Sequence, residues 1–171
     1  MPYKWQVAPA IVPSPVSRSP LRHSACASEI IPRLYISDLS TAESLASLSA
    51  LGITHVLTTM SGRVTIPSHI YTTQIHIEDS PFAELAAHLP STSAWIREAL
   101  RSDPNARVLV HCAEGISRST SVVTAFLMAQ FGWGVERAVA VVKSKRKIAD
   151  PNFGFVQQLH EYEEVLRNSR S

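Results

Sequence analysis

Cys112 and Arg118 stand six residues apart in the stretch "VLVHCAEGISRSTSVV", between two greasy runs. The run Val108–Val110 reads as a buried strand, and the run beyond Ser119 reads as a buried helix. A loop from the end of a strand to the start of a helix presents backbone N–H groups that the helix itself cannot use. Curled around a concavity, such groups bind phosphate, and the helix dipole adds to the attraction. Gly115 admits loop conformations closed to residues with a β-carbon. Arg118 carries a planar fork that grips two phosphoryl oxygens at once. Cys112 would form the floor of this cradle. A helix N-terminus and a nearby cation bring a thiol from its usual pKa of ~8.5 down to roughly 3.5–7.5, which favours the thiolate. The chemistry that fits is covalent phosphoryl transfer: attack by sulfur, a cysteinyl-phosphate, then hydrolysis. Ser119 is placed to donate its hydroxyl to the sulfur as it leaves. His111 reads as a group that orients the loop rather than one that carries protons.

A leaving alkoxide or phenoxide needs a proton, and a positioned carboxylic acid typically contributes ~10²–10⁴-fold. The donor must come from another loop at the same end of the sheet. Asp79, just beyond the expected strand "YTTQIHI", is the first choice. Glu78 is its rival and Glu114 a third candidate. A loop with inward amides turns its side chains outward, which disfavours Glu114.

The elements around this junction follow from pattern. "EIIPRLYIS" reads as two short strands about Pro32. Ser40 and Glu43 have capping-box spacing and predict a helix with Leu45, Leu48 and Leu51 on one side, ended by Gly52. "ITHVLTT" and "YTTQIHI" read as strands. Ser91 is placed to cap a helix through Arg101, with Trp95, Ile96 and Leu100 inward. "RVLVH" is apolar on both faces and suits the centre of a sheet. Helices are predicted from about Ser117 to Gln130, from Val135 to about Lys145, and from near Asn152, with Phe155, Leu159, Tyr162 and Leu166 at helical spacing. The fold class is therefore α/β, a sheet wrapped by helices. Trp95, Phe126, Trp133 and Phe155 read as core aromatics.

The chain of 171 residues is long enough for one domain with a full core. It carries 45% hydrophobic and 18% charged residues, ordinary for a globular protein, and no apolar run of membrane-spanning length. The net charge of +2 is unevenly distributed. Residues 1–28 hold Lys4, Arg18 and Arg22, no acid, and five of the eleven prolines. Residues 29–171 have 13 basic against 14 acidic side chains, a balance that argues against a nucleic-acid-binding domain. The expected organisation is a Pro/Ser-rich extension over 1–28 and a catalytic domain over 29–171. The extension reads as non-targeting, because its prolines oppose the amphipathic helix of a transit peptide. Ser14, Ser17 and Ser19 lie near prolines and are candidate phosphorylation sites. Two cysteines are too few for a disulfide framework and point to a reducing setting, cytoplasmic or nuclear. Cys26 reads as an unpaired thiol, with redox pairing to Cys112 as the alternative. "KSKRK", Lys143–Lys147, reads as a solvated helix end suited to the dipole, or as an attractor for a doubly phosphorylated peptide.

"HCAEGISRS" resembles the signature of the protein-tyrosine-phosphatase superfamily, His-Cys-x5-Arg-Ser/Thr, and the wider chain resembles its small, atypical dual-specificity phosphatases. "RLYISDLSTA", "LGITHVL", "YTTQIHIEDS" and "VVKSKRKIADPNFGFVQQLHEYE" carry the likeness over about residues 29–168. The resemblance implies a mostly parallel five-stranded sheet flanked by about six helices, with no cofactor and no metal. It implies Cys112 as nucleophile, Arg118 as phosphate-binding arginine, Asp79 as acid, and a phosphate-binding loop of Cys112, Ala113, Glu114, Gly115, Ile116, Ser117 and Arg118. Asn152 would support that loop. Phosphoinositide-directed relatives usually place lysines where Ala113, Glu114 and Ile116 stand, and RNA-triphosphatase relatives place Asn where Ser117 stands. Tyrosine-only receptor-type members are longer, with a deeper pocket. The expected substrate is a phosphorylated protein, a kinase among the candidates, hydrolysed at phosphotyrosine and phosphoserine or phosphothreonine. Two other readings stay open: a phosphopeptide-binding pseudophosphatase or scaffold, and a phosphatase for a non-protein phosphate ester. Oligomeric state is not legible in the sequence.

Overall fold

Val108, Val110 and Leu109 alternate along one short strand, and all three are fully buried, so that strand must be covered on both faces. In the computed structural model, which describes residues 26–169, it is the middle of five. The strands are β1 (Ser28–Ile31), β2 (Leu34–Ser37), β3 (His55–Thr59), β4 (Tyr71–Ile75) and β5 (Val108–His111), in the order β1-β2-β5-β3-β4. β1 is antiparallel to β2, and the remaining pairings are parallel. Readings on residues 1–25, including Ser14, Ser17 and Ser19, lie outside the described residues.

The helices are α1 (Leu39–Ala42), α2 (Leu45–Leu51), α3 (Leu89–Ser102), α4 (Arg118–Phe131), α5 (Val135–Lys145) and α6 (Phe153–Asn168), with a single 3-10 turn, Ala86–His88, ahead of α3. Two apolar clusters sandwich the sheet. Leu34, Ile36, Leu57, Val108 and Val110 meet α3 to α6, while Tyr35, Val56 and Leu109 meet α1 and α2. Period-two alternation thus sends odd and even residues of each central strand into different layers. Among the described residues no helix is long and apolar enough to cross a membrane.

α5 has the expected bounds, and Gly52 closes α2 in the left-handed conformation at φ 64°. Some helix starts differ from expectation. The Ser40 capping box does not form. Asp38 accepts from the Thr41 N–H at 2.9 Å and opens the four-residue α1, and Ser44 then caps α2. A carboxylate is the stronger acceptor at a helix N-terminus, so Asp38 takes the cap. Leu48 is buried, but Leu45 is exposed. α3 begins at Leu89, ahead of Ser91, because Pro90 suits its first turn. β4 stops at Ile75, where its parallel partner β3 ends, so Ile77 continues past the sheet. Phe126 and Phe155 are core, while Trp95 and Trp133 are half-buried.

The loop after β4 is pinned by α6. Gln158 accepts from the Ala86 N–H at 2.8 Å and donates to the Ala83 carbonyl at 2.9 Å. A β-carbon on Gly154 would lie 1.9 Å from the Pro81 carbonyl oxygen, so only glycine lets the two backbones approach. Gly154→Ala is expected to lower unfolding free energy by about 1–3 kcal/mol, the usual cost of overpacking. Urea denaturation checks this, and an unchanged midpoint would contradict the close approach.

Candidate active site

The loop Cys112–Arg118 leaves β5 and enters α4, and Cys112 is 1% exposed. The Gly115 N–H points at Cys112 Sγ, 3.2 Å away. Gly115 sits at φ 66°, and a side chain there would strike the Ser37 carbonyl oxygen at 2.5 Å. Carbonyls along the loop face away from the sulfur, and each is engaged. Ala113 O accepts from the Leu39 N–H, Ile116 O from the Asp150 N–H, and Ser117 O from the Ser121 N–H and hydroxyl. The amides of Ala113, Glu114, Ile116 and Ser117 have no acceptor among the described residues. Inward donors and outward acceptors make an anion cradle. The Ser119 hydroxyl lies 3.3 Å from the same sulfur.

Arg118 is 9% exposed. Its Nη1 donates to the Ile77 carbonyl at 3.3 Å, while Nε is buried with no hydrogen-bond partner. A buried guanidinium donor without an acceptor is costly and points to an anionic ligand. Asp79 Oδ2 is 4.0 Å from that Nε, and no other carboxylate among the described residues comes this close to Arg118. Glu78 and Glu114 are exposed side chains. Asn152 ties three parts together. Its Oδ1 caps α6 by accepting from the Phe155 N–H, its Nδ2 donates to Asp79 Oδ1 at 2.8 Å, and its N–H donates to Ser117 Oγ at 3.0 Å.

His111 is fully buried, and burial holds its imidazole below the ordinary histidine pKa. Nδ1 reaches the Cys112 carbonyl at 3.3 Å, so it carries the proton. Nε2 then accepts from the Thr58 hydroxyl at 2.8 Å. The Thr59 hydroxyl holds the His111 carbonyl at 2.8 Å. The ring is a neutral brace between β3 and the loop.

One residue of the site was not anticipated. Arg146, within the run expected to be a solvated helix end, is 6% exposed. It lies just past α5, and its Nε donates to Gly115 O at 2.7 Å, its Nη2 to Glu114 O at 3.3 Å and its Nη1 to Cys26 O and Ser28 Oγ. The expectation fails because the loop's outward carbonyls need a donor of this reach, and a charge run carries no mark of which cation turns inward. Lys143 stays exposed and pairs with Asp150. Cys26 and Cys112 are both free thiols.

Residues 34–165 match the dual specificity phosphatase catalytic domain. The chain belongs to the dual-specificity phosphatase family. Members are cysteine-dependent protein phosphatases, and the five-stranded sheet with six helices is their fold. Dual specificity protein phosphatase 13B of Mus musculus is 36% identical over 149 residues, covering 81% of this chain and 73% of the relative. Tyrosine-protein phosphatase yvh1 of Schizosaccharomyces pombe is 38% identical over 139 residues, covering 79% of this chain and 41% of the relative. The chain spans 22% of the length of another relative, protein phosphatase Slingshot homolog 3 of Rattus norvegicus. Among solved structures, a mouse dual specificity phosphatase complexed with zinc tungstate superposes with a TM-score of 0.78 at 32% identity, over 85% of this chain and 91% of that one. The human tyrosine phosphatase-like serine/threonine/tyrosine-interacting protein gives 0.77 at 32% identity, over 82% and 97%.

Two expectations follow for this family member. Arg146→Ala frees the Glu114 and Gly115 carbonyls, so kcat/KM on an aryl phosphate should fall about 10- to 100-fold, the scale of a misplaced cradle. Inhibition by orthovanadate, a phosphate-like oxyanion, should weaken in step, with Arg146→Lys recovering part of both. A full-activity Arg146→Ala chain would contradict the brace. For His111, the unfolded chain takes up a proton near pH ~6.5 while the native ring, held below that, does not. Its contribution to stability is therefore complete above that pH and is lost as pH falls. His111→Gln should flatten the decline of Tm between about pH 6.5 and 5. An unchanged slope would contradict the neutral brace.

Proposed function

We propose that this chain hydrolyses phosphate monoesters on protein tyrosine and serine or threonine side chains through a cysteinyl-phosphate on Cys112. The observation that carries the reading is the buried, unpartnered Nε of Arg118, set beside a loop whose carbonyls are all tied outward. A phosphoryl group held by Arg118 and the loop amides lies over Cys112 Sγ. The sulfur attacks phosphorus, a P–S bond forms, and the P–O bond to the substrate breaks. Asp79, held by Asn152 and facing Arg118, gives its proton to the leaving oxygen. Its carboxylate then takes a proton from water, the water oxygen attacks phosphorus, and the P–S bond breaks. The leaving thiolate is stabilised by the Gly115 N–H and the Ser119 hydroxyl. His111 stays neutral throughout and braces the loop.

Protein substrates are supported by the relatives, which are named as dual specificity and tyrosine-protein phosphatases. Free thiols at Cys26 and Cys112 fit a reducing setting, cytoplasm or nucleus, and a phosphorylated signalling protein such as a kinase fits that setting. The domain over residues 29–171, with 1–28 as its extension, is the unit to which the activity is assigned. A pure binding role has one point in its favour, the likeness to the tyrosine phosphatase-like interacting protein. Fold does not separate the two roles, whereas the presence of Cys112, Arg118 and Asp79 in one constellation favours hydrolysis.

Turnover of aryl phosphates in excess chelator tests the reading. Wild type is expected to be active and Cys112→Ser inert. Asp79→Ala should lose about 10²–10⁴-fold on phenyl phosphate and much less on 4-nitrophenyl phosphate, whose leaving group needs little protonation. A wild-type chain that binds phosphate but never releases product would overturn the assignment in favour of binding.

A further inference from the structure

Two phenyl rings stand in the open beside the site. Phe82 is 86% exposed and Phe153 is 70% exposed. Phe82 lies three residues after Asp79, and Phe153 follows Asn152 directly. With Pro81, Gly154, Glu84 and Glu161 they line a cleft of about 350 Å³ between the acid loop and the first turns of α6. An aromatic ring left in water forgoes the gain of burial, so an exposed pair suits a partner that covers it. The backbone that carries the two rings is tied down on both sides of the cleft. Asn152 grips Asp79, Gln158 grips Ala83 and Ala86, and Gly154 abuts Pro81. A cleft whose backbone walls are held in advance loses less entropy on binding.

The charge of the cleft selects the partner. Its lining holds two carboxylates, Glu84 and Glu161, and no lysine or arginine. The Gln157 side chain donates to Glu161 Oε1 at 3.3 Å and leaves the other carboxylate oxygen available. Aromatic faces and carboxylates together attract a cation carried on an apolar stem. Among the described residues such a contact is made internally, with Arg137 stacked 4.5 Å from the Trp133 ring centre.

We infer that this cleft binds an arginine or lysine side chain of the phosphorylated protein, near the phosphoresidue, and so sets a preference for basic flanking sequence. The inference rests on the phosphatase reading above and names its substrate class. The matching test compares phosphopeptides with Arg, Ala or Glu placed at each flanking position in turn. For the best position, kcat/KM should favour Arg over Glu by about tenfold or more. In Glu84→Lys/Glu161→Lys that ratio should collapse towards one or invert, and in Phe82→Ser/Phe153→Ser it should shrink. Equal hydrolysis of Arg and Glu peptides at every position, or a ratio untouched by charge reversal, overturns the cleft while leaving the phosphatase standing. The affinity of Cys112→Ser for the same peptides reads the cleft without turnover. An Arg preference there with an inert wild type keeps the cleft and removes the catalytic reading.

Discussion

Five consecutive carbonyls, from Ala113 to Ser117, are turned away from the sulfur of Cys112, and this is the constraint from which the rest of the molecule can be read. A peptide unit that sends its oxygen outward sends a neighbouring N–H inward, so a phosphate cradle is available only if something outside accepts the burden of those oxygens. All five are engaged: by the start of α1 at Leu39, by the guanidinium of Arg146, which takes two of them, by the Asp150 amide and by the first turn of α4. Gly115 supplies the left-handed step that no side chain would permit against Ser37. Carbonyls without donors would cost several hydrogen bonds of desolvation, so cradle and scaffold are stable together.

Everything else serves to hold those donors still. β5 is the central strand, which fixes the loop's entry, and the buried face of α4 fixes its exit. α6 then supplies the second half of the site. Asn152 caps that helix and holds Asp79 with its side chain and reaches Ser117 of the cradle with its backbone N–H, so three separate stretches of chain meet at one residue. Gln158 and Gly154 fasten the loop that follows Asp79. The same fastening that aims Asp79 leaves Phe82 and Phe153 outside, at the edge of the site.

Much of this was legible in the residues because it is local. The β5–loop–α4 junction shows as an apolar run, a glycine and a second apolar run. Asp79 stands at the end of a strand pattern, and Asn152 stands where a cap belongs. What was not legible is long-range. Arg146 meets Gly115 across 31 positions, and nothing in "KSKRK" marks its arginine as the buried member. The start of α1 was missed for a different reason. Two side chains, Asp38 and Ser40, can each open a helix here two residues apart, and which one does depends on where β2 delivers the chain. The end of β4 was set by the length of its neighbour rather than by its own alternation.

The central claim is that Cys112 carries the phosphoryl group between two half-reactions. Its most direct test is an acid quench during steady turnover of an aryl phosphate by Ser119→Ala, followed by mass analysis of the peptide that contains Cys112. Removing the hydroxyl 3.3 Å from the sulfur should slow departure of the thiolate more than its attack. The account predicts phosphate bound to Cys112, in larger amount than in wild type. Product release with no phosphate ever found on Cys112, or with phosphate on another residue, would contradict it.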